Sequence, residues 1–115
     1  MKHQGSCHCG GIAYDVEGDI GEVYDCNCSL CRRRGGLLWF VPRAAFTLNT
    51  PADGVATYTF NKHVLQHHFC ATCGIAAYSE GVDPKGNPMI AVNVRCLPQL
   101  DLSTLKITAV DGARF

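Results

Sequence analysis

Short apolar segments, separated by turns that contain glycine or proline, run through the whole chain. Ile12, Tyr14 and Val16 alternate with small or polar residues, and this period of two is typical of a strand with one buried face. Further short segments of apolar or alternating residues predict strands at 23–24, 37–41, 46–48, 55–60, 64–69, 75–79, 89–94 and 107–110. The pattern predicts a mainly β protein with very little helix.

A single short helix interrupts this pattern. Ser29 is a favourable N-cap residue, and residues 30–34 are expected to form one or two helical turns that end at Gly35. Residues 1–5 are polar and are expected to be frayed.

Length and charge narrow the class of protein. The chain has 115 residues, for which one domain covering 1–115 is expected, and its ten basic and ten acidic residues cancel. This balance does not support a general electrostatic binder of nucleic acid. No apolar run approaches the roughly 18 residues of a membrane span. Because residues 1–9 also lack the apolar core of a signal peptide, we expect a cytoplasmic protein without a membrane partner. Nothing in the sequence indicates the oligomeric state.

Cysteine is the residue type that carries the chemistry. The chain has eight cysteines, and seven of them fall into three groups, Cys7/Cys9, Cys26/Cys28/Cys31 and Cys70/Cys73. In a reducing compartment such clusters bind metals or carry out redox chemistry, whereas in a secreted protein they would form disulfides. A redox role for Cys70 and Cys73 is the weaker hypothesis, because no βαβ pattern surrounds them.

The two pairs together have the composition of a closed structural site. A structural zinc takes four ligands, and Cys7, Cys9, Cys70 and Cys73 supply four thiols. In an extended segment Cys7 and Cys9 point to the same side, and the C-x-x-C-G of the second pair is typical of a zinc knuckle. Sulfur ligands would also suit iron.

The remaining trio, Cys26, Cys28 and Cys31, has three ligands and one open position, which is the pattern of a catalytic metal site. The alternative is a second closed site, completed by one further residue from the set Cys96, His3, His8, His63, His67 and His68. Three thiolates would make a bound zinc a weak Lewis acid for water. Holding a substrate thiol as its thiolate is therefore the more compatible task.

Residues beside the trio are candidates for substrate binding. Arg32, Arg33 and Arg34 follow Cys31 directly, and guanidinium groups bind the carboxylates of small anions. We assign substrate binding to Arg32 and Arg33, with Trp39 as a wall of the pocket. The alternatives are a solvated basic helix face and a core tryptophan.

Four further residues have simpler explanations. Phe40 follows Trp39 in an apolar run whose aromatic residues would ordinarily be core. His67 and His68 must face opposite sides of a strand, so at most one of them lines a site. Cys96 stands apart from the three groups and is expected to be a buried, inert thiol.

The order of these motifs resembles the family of glutathione-dependent formaldehyde-activating enzymes, also called the GFA or centromere-protein-V domain family. The resemblance rests on four tracts, residues 5–12 (GSCHCGGI), 26–32 (CNCSLCR), 69–74 (FCATCG) and 92–96 (VNVRC). They occur in the order found in the family, and the resemblance extends over roughly residues 5 to 105.

The resemblance implies a β-tent fold of twisted antiparallel sheets like that of Mss-type zinc proteins. It also implies two zinc ions: a structural one on Cys7, Cys9, Cys70 and Cys73, and a catalytic one on Cys26, Cys28 and Cys31. The second zinc would be labile and displaced by glutathione. The implied activity is that of a carbon–sulfur lyase or synthase, which combines glutathione and formaldehyde into S-hydroxymethylglutathione.

Two other functions remain as hypotheses. One is a zinc-stapled binding module in which both metals are structural, as in the family's relatives with cytoskeletal or chromosomal roles. The other is a metal or redox buffer that releases zinc when the trio is oxidised.

Overall fold

The computed structural model describes residues 1–60 and 64–114. Within them the chain forms ten strands: Lys2–Ser6 (β1), Ala13–Glu17 (β2), Glu22–Cys26 (β3), Leu38–Pro42 (β4), Phe46–Leu48 (β5), Val55–Tyr58 (β6), Gln66–Cys70 (β7), Tyr78–Val82 (β8), Pro88–Asn93 (β9) and Lys106–Val110 (β10). The α-helix in this part of the chain is one turn, Cys31–Arg34 (α1). Short 3-10 turns lie at Arg43–Ala45, Ala52–Gly54, Val94–Cys96, Leu102–Thr104 and Gly112–Arg114. The predicted mainly β class, with little helix, is confirmed.

The strands form two sheets. The smaller has the order β1-β2-β5 and the larger has the order β10-β3-β4-β9-β8-β7-β6. The resemblance implies antiparallel sheets, and the described strand pairs agree with one exception, since β10 runs parallel to β3. This parallel pair brings the end of β10 next to Cys26 at the end of β3, with Val110 opposite Cys26.

The core lies between the two sheets. Tyr14 of β2 is almost fully buried and packs against Phe46 of β5, with ring centroids 4.9 Å apart. From the larger sheet Tyr78 meets Phe46 at 4.7 Å between centroids. The alternating residues Ile12 and Val16 are fully buried on the same side as Tyr14, as the pattern predicts. Burial of this apolar surface is the main force that holds the sheets together.

The register of the larger sheet separates a core face from an outer face. One row of paired residues faces the core: Thr57, His68, Tyr78, Val92 and Trp39. The neighbouring row faces outward: Tyr58, His67, Ser79, Ala91 and Phe40. Because side chains alternate along each strand, a shift of one position decides whether a residue belongs to the core or to the outer face.

Three local predictions are wrong. Residues 2–6 are not frayed but form β1, which pairs along its whole length with β2. Leu30, not Ser29, is the N-cap of α1, because the chain already turns at Cys28, whose carbonyl accepts the N–H of Arg32. The strand predicted at 75–79 begins only at Tyr78, since a turn closed by the Cys70 N–H and the Ile75 carbonyl comes first.

The end of α1 and the histidine pair follow the prediction. Gly35 terminates α1 with a left-handed φ of 74°, a conformation that glycine adopts without strain. His67 and His68 face opposite sides of β7, as expected. The candidate ligand His63 lies outside the described residues. In the described part of the chain, none of the helices has the length and apolar character needed to cross a membrane.

Candidate functional site

Four cysteines from distant parts of the chain meet in one cluster. The Sγ atoms of Cys7, Cys9, Cys70 and Cys73 all lie within 4.8 Å of one another, and those of Cys9 and Cys70 are 3.5 Å apart. Cys7 and Cys70 are buried, and Cys9 is exposed. We call this cluster the quartet. It joins the end of β1 to the end of β7 and can hold a metal ion.

Backbone amides surround the quartet sulfurs in the manner of a thiolate metal site. The N–H of Ile12 donates to Cys7 Sγ at 3.2 Å, and those of Thr72 and Cys73 donate to Cys70 Sγ at 3.3 and 3.4 Å. Such bonds favour the charged form of a thiol. Each pair of cysteines lies at a short loop, so nearby N–H groups reach its sulfurs. This is why the C-x-C and C-x-x-C spacings predicted the site.

Backbone N–H donors also lower the pKa values of Cys70 and Cys73. The N–H groups of Ile75 and Cys9 lower the pKa of Cys73 to about 6, and those of Cys73 and Thr72 lower the pKa of Cys70. Because the thiolate is the form that ligates a metal, this environment prepares both cysteines for binding.

The other three cysteines form a second cluster, which we call the trio. Cys26 ends β3, Cys28 lies in the following connection, and Cys31 is the first residue of α1. Their Sγ atoms lie within 4.8 Å of one another, and all three side chains are partly exposed. Among the described His, Cys, Asp and Glu side chains, none adds a fourth ligand atom to this cluster.

Hydrogen bonds also order the trio. The N–H of Cys28 donates to Cys26 Sγ at 3.5 Å, and the N–H of Cys31 donates to Cys28 Sγ at 3.3 Å. Burial opposes ionisation of Cys28, but the hydrogen bonds that it receives from the N–H groups of Cys31 and Leu30 and from the thiols of Cys31 and Cys26 together outweigh burial, so the pKa of Cys28 is lowered. Burial raises the pKa of Cys31. Of these two thiols, Cys28 therefore ionises more readily.

The segment after β10 clasps the trio, an arrangement that sequence reasoning missed. Asn27 donates from Nδ2 to Asp111 Oδ1 at 3.0 Å and accepts the N–H of Ala113 at 2.9 Å. Gly112, held between these contacts, packs directly on Cys26 Sγ. The only signal in the sequence was the Asp-Gly pair after the last strand, which by itself predicts a turn.

Substitution of Gly112 is expected to weaken metal binding at the trio alone. A Cβ at this position would collide with Cys26 Sγ and lie 3.3 Å from Cys28 Cβ, so Gly112→Ala must displace one of the ligands or the clasp. Since such supporting contacts typically change metal affinity by about 10–100-fold, we expect one of two bound metals to be lost to a chelator at about tenfold lower concentration. The control is Gly21→Ala, where an added Cβ meets nothing within 4 Å. Equal chelator sensitivity of the two variants would contradict this role of Gly112.

A large cleft opens beside the trio on the outer face of the larger sheet. Its volume is about 1140 Å³, and all three trio cysteines border it. Apolar and aromatic residues make up much of the wall: Tyr24, Leu30, Leu38, Phe40, Phe60, Leu65, Met89, Ala91 and Val110. A concave, mostly apolar site with a few polar groups is the usual form of a small-molecule site.

Trp39 lies at the edge of this cleft, and most of its ring lies in the core. It borders the cleft, but it is only 6% exposed and its ring packs edge-on against His3, with centroids 5.5 Å apart. Phe40, on the opposite face of β4, is 48% exposed and also borders the cleft. The alternation along β4 therefore puts the tryptophan in the core and makes phenylalanine the aromatic wall.

Of the three arginines of α1, Arg34 alone is among the residues that line the cleft. Arg32 and Arg33 are exposed and are not among the residues that line the cleft, and Arg33 donates to the carbonyl of Ser29. Arg34 is half-buried, lines the cleft and lies over the ring of Phe69, with Cζ 5.9 Å from the centroid. Burial lowers the pKa of Arg34. The helix thus has a solvated basic face and directs its third arginine toward the cleft.

Cys96, His3 and His8, the candidate fourth ligands outside β7, do not belong to the trio cluster in the described part of the chain. Cys96 is buried near Cys7 and Cys73, beside the quartet, and burial raises its pKa to about 11. His3 Nε2 is 3.1 Å from the carbonyl oxygen of Gly18. His8 is exposed. Cys96 keeps the predicted character of a buried thiol.

His67 and His68 of β7 lie on opposite faces of the larger sheet. His68 lies on the core face, with Nδ1 2.8 Å from Thr57 Oγ1 and Nε2 2.7 Å from Glu80 Oε2. His67 lines the cleft, and its Nδ1 is 3.3 Å from Ser79 Oγ. Neither belongs to a described metal cluster.

This fold and site define a small mainly β protein with two cysteine clusters that can hold metal ions, one of them at a cleft. The family model described as "Glutathione-dependent formaldehyde-activating enzyme" matches residues 2–109, so the chain belongs to that family. A Rhodobacter sphaeroides protein of known crystal structure is similar to it. The two share 28% identity with a TM-score of 0.78, covering 94% of this chain and 100% of the other.

Proposed function

We propose that the protein is a zinc-dependent carbon–sulfur lyase or synthase that combines a glutathione-type thiol with formaldehyde. The observation that supports this most directly is the difference between the two clusters. The quartet has four sulfurs and joins two strands, as a structural site does, whereas the trio has three described ligands and borders a cleft. Membership of the family supports glutathione as the thiol.

The donor sets fit zinc. Each cluster consists of cysteine sulfurs with backbone N–H groups directed at them, and zinc readily takes thiolate ligands in tetrahedral geometry. When bound to Cys26, Cys28 and Cys31, zinc would supply the positive charge that keeps a substrate thiol in its nucleophilic thiolate form at neutral pH.

The residues of the chain would bind and orient the reactants. In the overall reaction the glutathione sulfur forms a bond to the formaldehyde carbon, the carbon–oxygen π bond breaks, and the thiol proton ends on that oxygen. The apolar wall around Leu38 and Phe40 would exclude water from the reacting atoms. Arg34 would place positive charge beside an anionic thiol. Because all eight cysteines are free, a reducing compartment such as the cytoplasm suits this chemistry.

The first experiment is to measure metal content per chain before and after dialysis against millimolar glutathione. We expect two zinc ions before dialysis and one afterwards, with an unchanged circular dichroism spectrum. This result would be followed by measuring formaldehyde consumption above the uncatalysed reaction with glutathione. If both zinc ions persist and consumption does not exceed the background, the proposal is wrong.

The competing function is a zinc-stapled binding module. The exposed apolar side chains around the cleft favour it, since Phe40 and Leu65 are both about half exposed, and apolar surfaces of this kind also mark protein-binding sites. In that case both zinc ions would resist glutathione, so the same measurement separates the two functions.

A further inference from the structure

One polar side-chain atom on the cleft wall has no hydrogen-bond partner among the described residues. His67 is only 7% exposed, and its Nε2 makes no hydrogen bond within the described part of the chain. Its Nδ1 is within reach of the Ser79 hydroxyl. When that hydroxyl donates to Nδ1, Nε2 carries the ring proton and is a donor. A buried donor without a hydrogen-bond acceptor costs free energy, so a ligand that accepts a hydrogen bond from Nε2 would be favoured.

Arg34 lines the same cleft as this histidine. Its guanidinium sits over Phe69, and Phe69 is two residues from His67 on the same face of β7, about 7 Å further along the strand. Burial and then the positive charge of Arg34 lower the pKa of His67, so the ring is neutral near pH 7. Within residues 1–60 and 64–114, no ion pair joins Arg34 to a carboxylate. Arg34 thus offers a positive charge that no described carboxylate pairs with, and His67 offers an unused N–H donor, and both line the cleft.

This region is close to the trio. Cys31 and Arg34 occupy positions i and i+3 of the one-turn helix α1, and side chains with this spacing are neighbours, with Cβ atoms about 5–6 Å apart. A molecule whose sulfur reaches the trio therefore needs only a short chain to reach Arg34. The neighbouring Arg32 and Arg33 do not line the cleft.

We propose that Arg34 and His67 form a carboxylate-binding subsite, which selects thiols that carry a carboxylate a few bonds from the sulfur. The guanidinium would supply charge and paired N–H donors, and His67 Nε2–H would supply a third donor to the same carboxylate. This inference rests on the proposed function, because it assumes that the thiol is held at the trio. Its ligand class includes glutathione and smaller mercapto-carboxylates.

The test uses the full chain loaded with cobalt(II), whose absorption spectrum changes when a further thiolate binds the metal. Two probes are titrated, 3-mercaptopropionate and its neutral amide. We expect the acid to produce half of the spectral change at a concentration at least about tenfold lower than the amide, as charge-assisted hydrogen bonds imply. Arg34→Ala should abolish this preference, whereas Arg32→Ala, which removes the same charge from the exposed side of α1, should keep it.

Variants of the histidine test the second half of the subsite. His67→Ala should reduce the preference for the acid severalfold, and His67→Gln, which returns an N–H donor to that part of the wall, should restore part of it. A circular dichroism spectrum of each variant verifies that the sheet is intact. A preference that is the same in His67→Ala and the native protein would remove His67 from the subsite.

The two ways of failing can be told apart. If both probes bind equally well, or if Arg32→Ala abolishes the preference as fully as Arg34→Ala, the carboxylate subsite is wrong while thiol binding at the trio stands. If neither probe changes the cobalt spectrum, the proposed function and the subsite that rests on it are both wrong.

Discussion

Replacing Cys70 with alanine is expected to leave the protein without a cooperative thermal unfolding transition. Cys70 is 1% exposed, and its sulfur belongs to the quartet that joins β1 to β7. A structural zinc contributes about 10–16 kcal/mol to the folding of small zinc domains, and a whole domain is stable by only about 5–15 kcal/mol. Loss of one of four ligands therefore removes most of the stability of the fold.

The matched control is Cys96→Ala, which deletes a sulfur that is also buried, close to the quartet but outside it. Truncation of a small buried side chain costs on the order of 1 kcal/mol, so this variant should melt cooperatively and keep two metals. The measurement is a thermal melt followed by circular dichroism, with zinc content determined on the same samples. If Cys70→Ala melts cooperatively within a few degrees of Cys96→Ala, the quartet is not the structural site.

The second large effect is expected at Cys28. Cys28→Ala should abolish thiol-dependent formaldehyde consumption above the background and remove one of two zinc ions, while the melt remains cooperative. Cys28 is the central ligand of the trio, since it accepts the N–H of Cys31 and donates its own N–H to Cys26. A metal centre stabilises a transition state by several kcal/mol, so its loss should lower the rate by about 10³-fold or more.

The contrast between Cys28→Ala and Cys70→Ala is informative in itself. The trio is drawn from one stretch of six residues, so it closes only a short loop, whereas the quartet joins segments that are more than 60 residues apart in sequence. Loss of the trio metal should therefore lower the melting temperature much less. Equal destabilisation by the two variants would mean that both sites are structural, and unchanged turnover in Cys28→Ala would rule out catalysis at the trio.

Local patterns in the sequence predicted the parts of this protein that depend on neighbouring residues. The alternation of Ile12, Tyr14 and Val16 identified a strand with one buried face, and the six-residue spacing of the trio placed three thiols around one point. Close spacing limits where the chain can put these side chains, so few tertiary arrangements need to be considered. The class of fold and both cysteine clusters could be predicted for this reason.

Residues whose role depends on which face of a strand they occupy could not be predicted in the same way. Trp39 and Phe40 are adjacent aromatic residues in an apolar run, and only the pairing of β4 with β9 decides that Trp39 faces the core. The three arginines are likewise equivalent in sequence, and only the end of α1 at Gly35, with the packing against Phe69, directs Arg34 into the cleft.

By itself, the sequence determined that the protein is mainly β and which cysteines can bind metal, because short-range spacing and alternation control both properties. Only the tertiary structure placed the segment after β10 over the trio, since the parallel pairing of β10 with β3 brings together residues about 84 positions apart. It also placed His67 and Arg34 on the wall of the same cleft. Such contacts depend on how the strands are ordered in a sheet, and the order of strands is set by burial of the whole core.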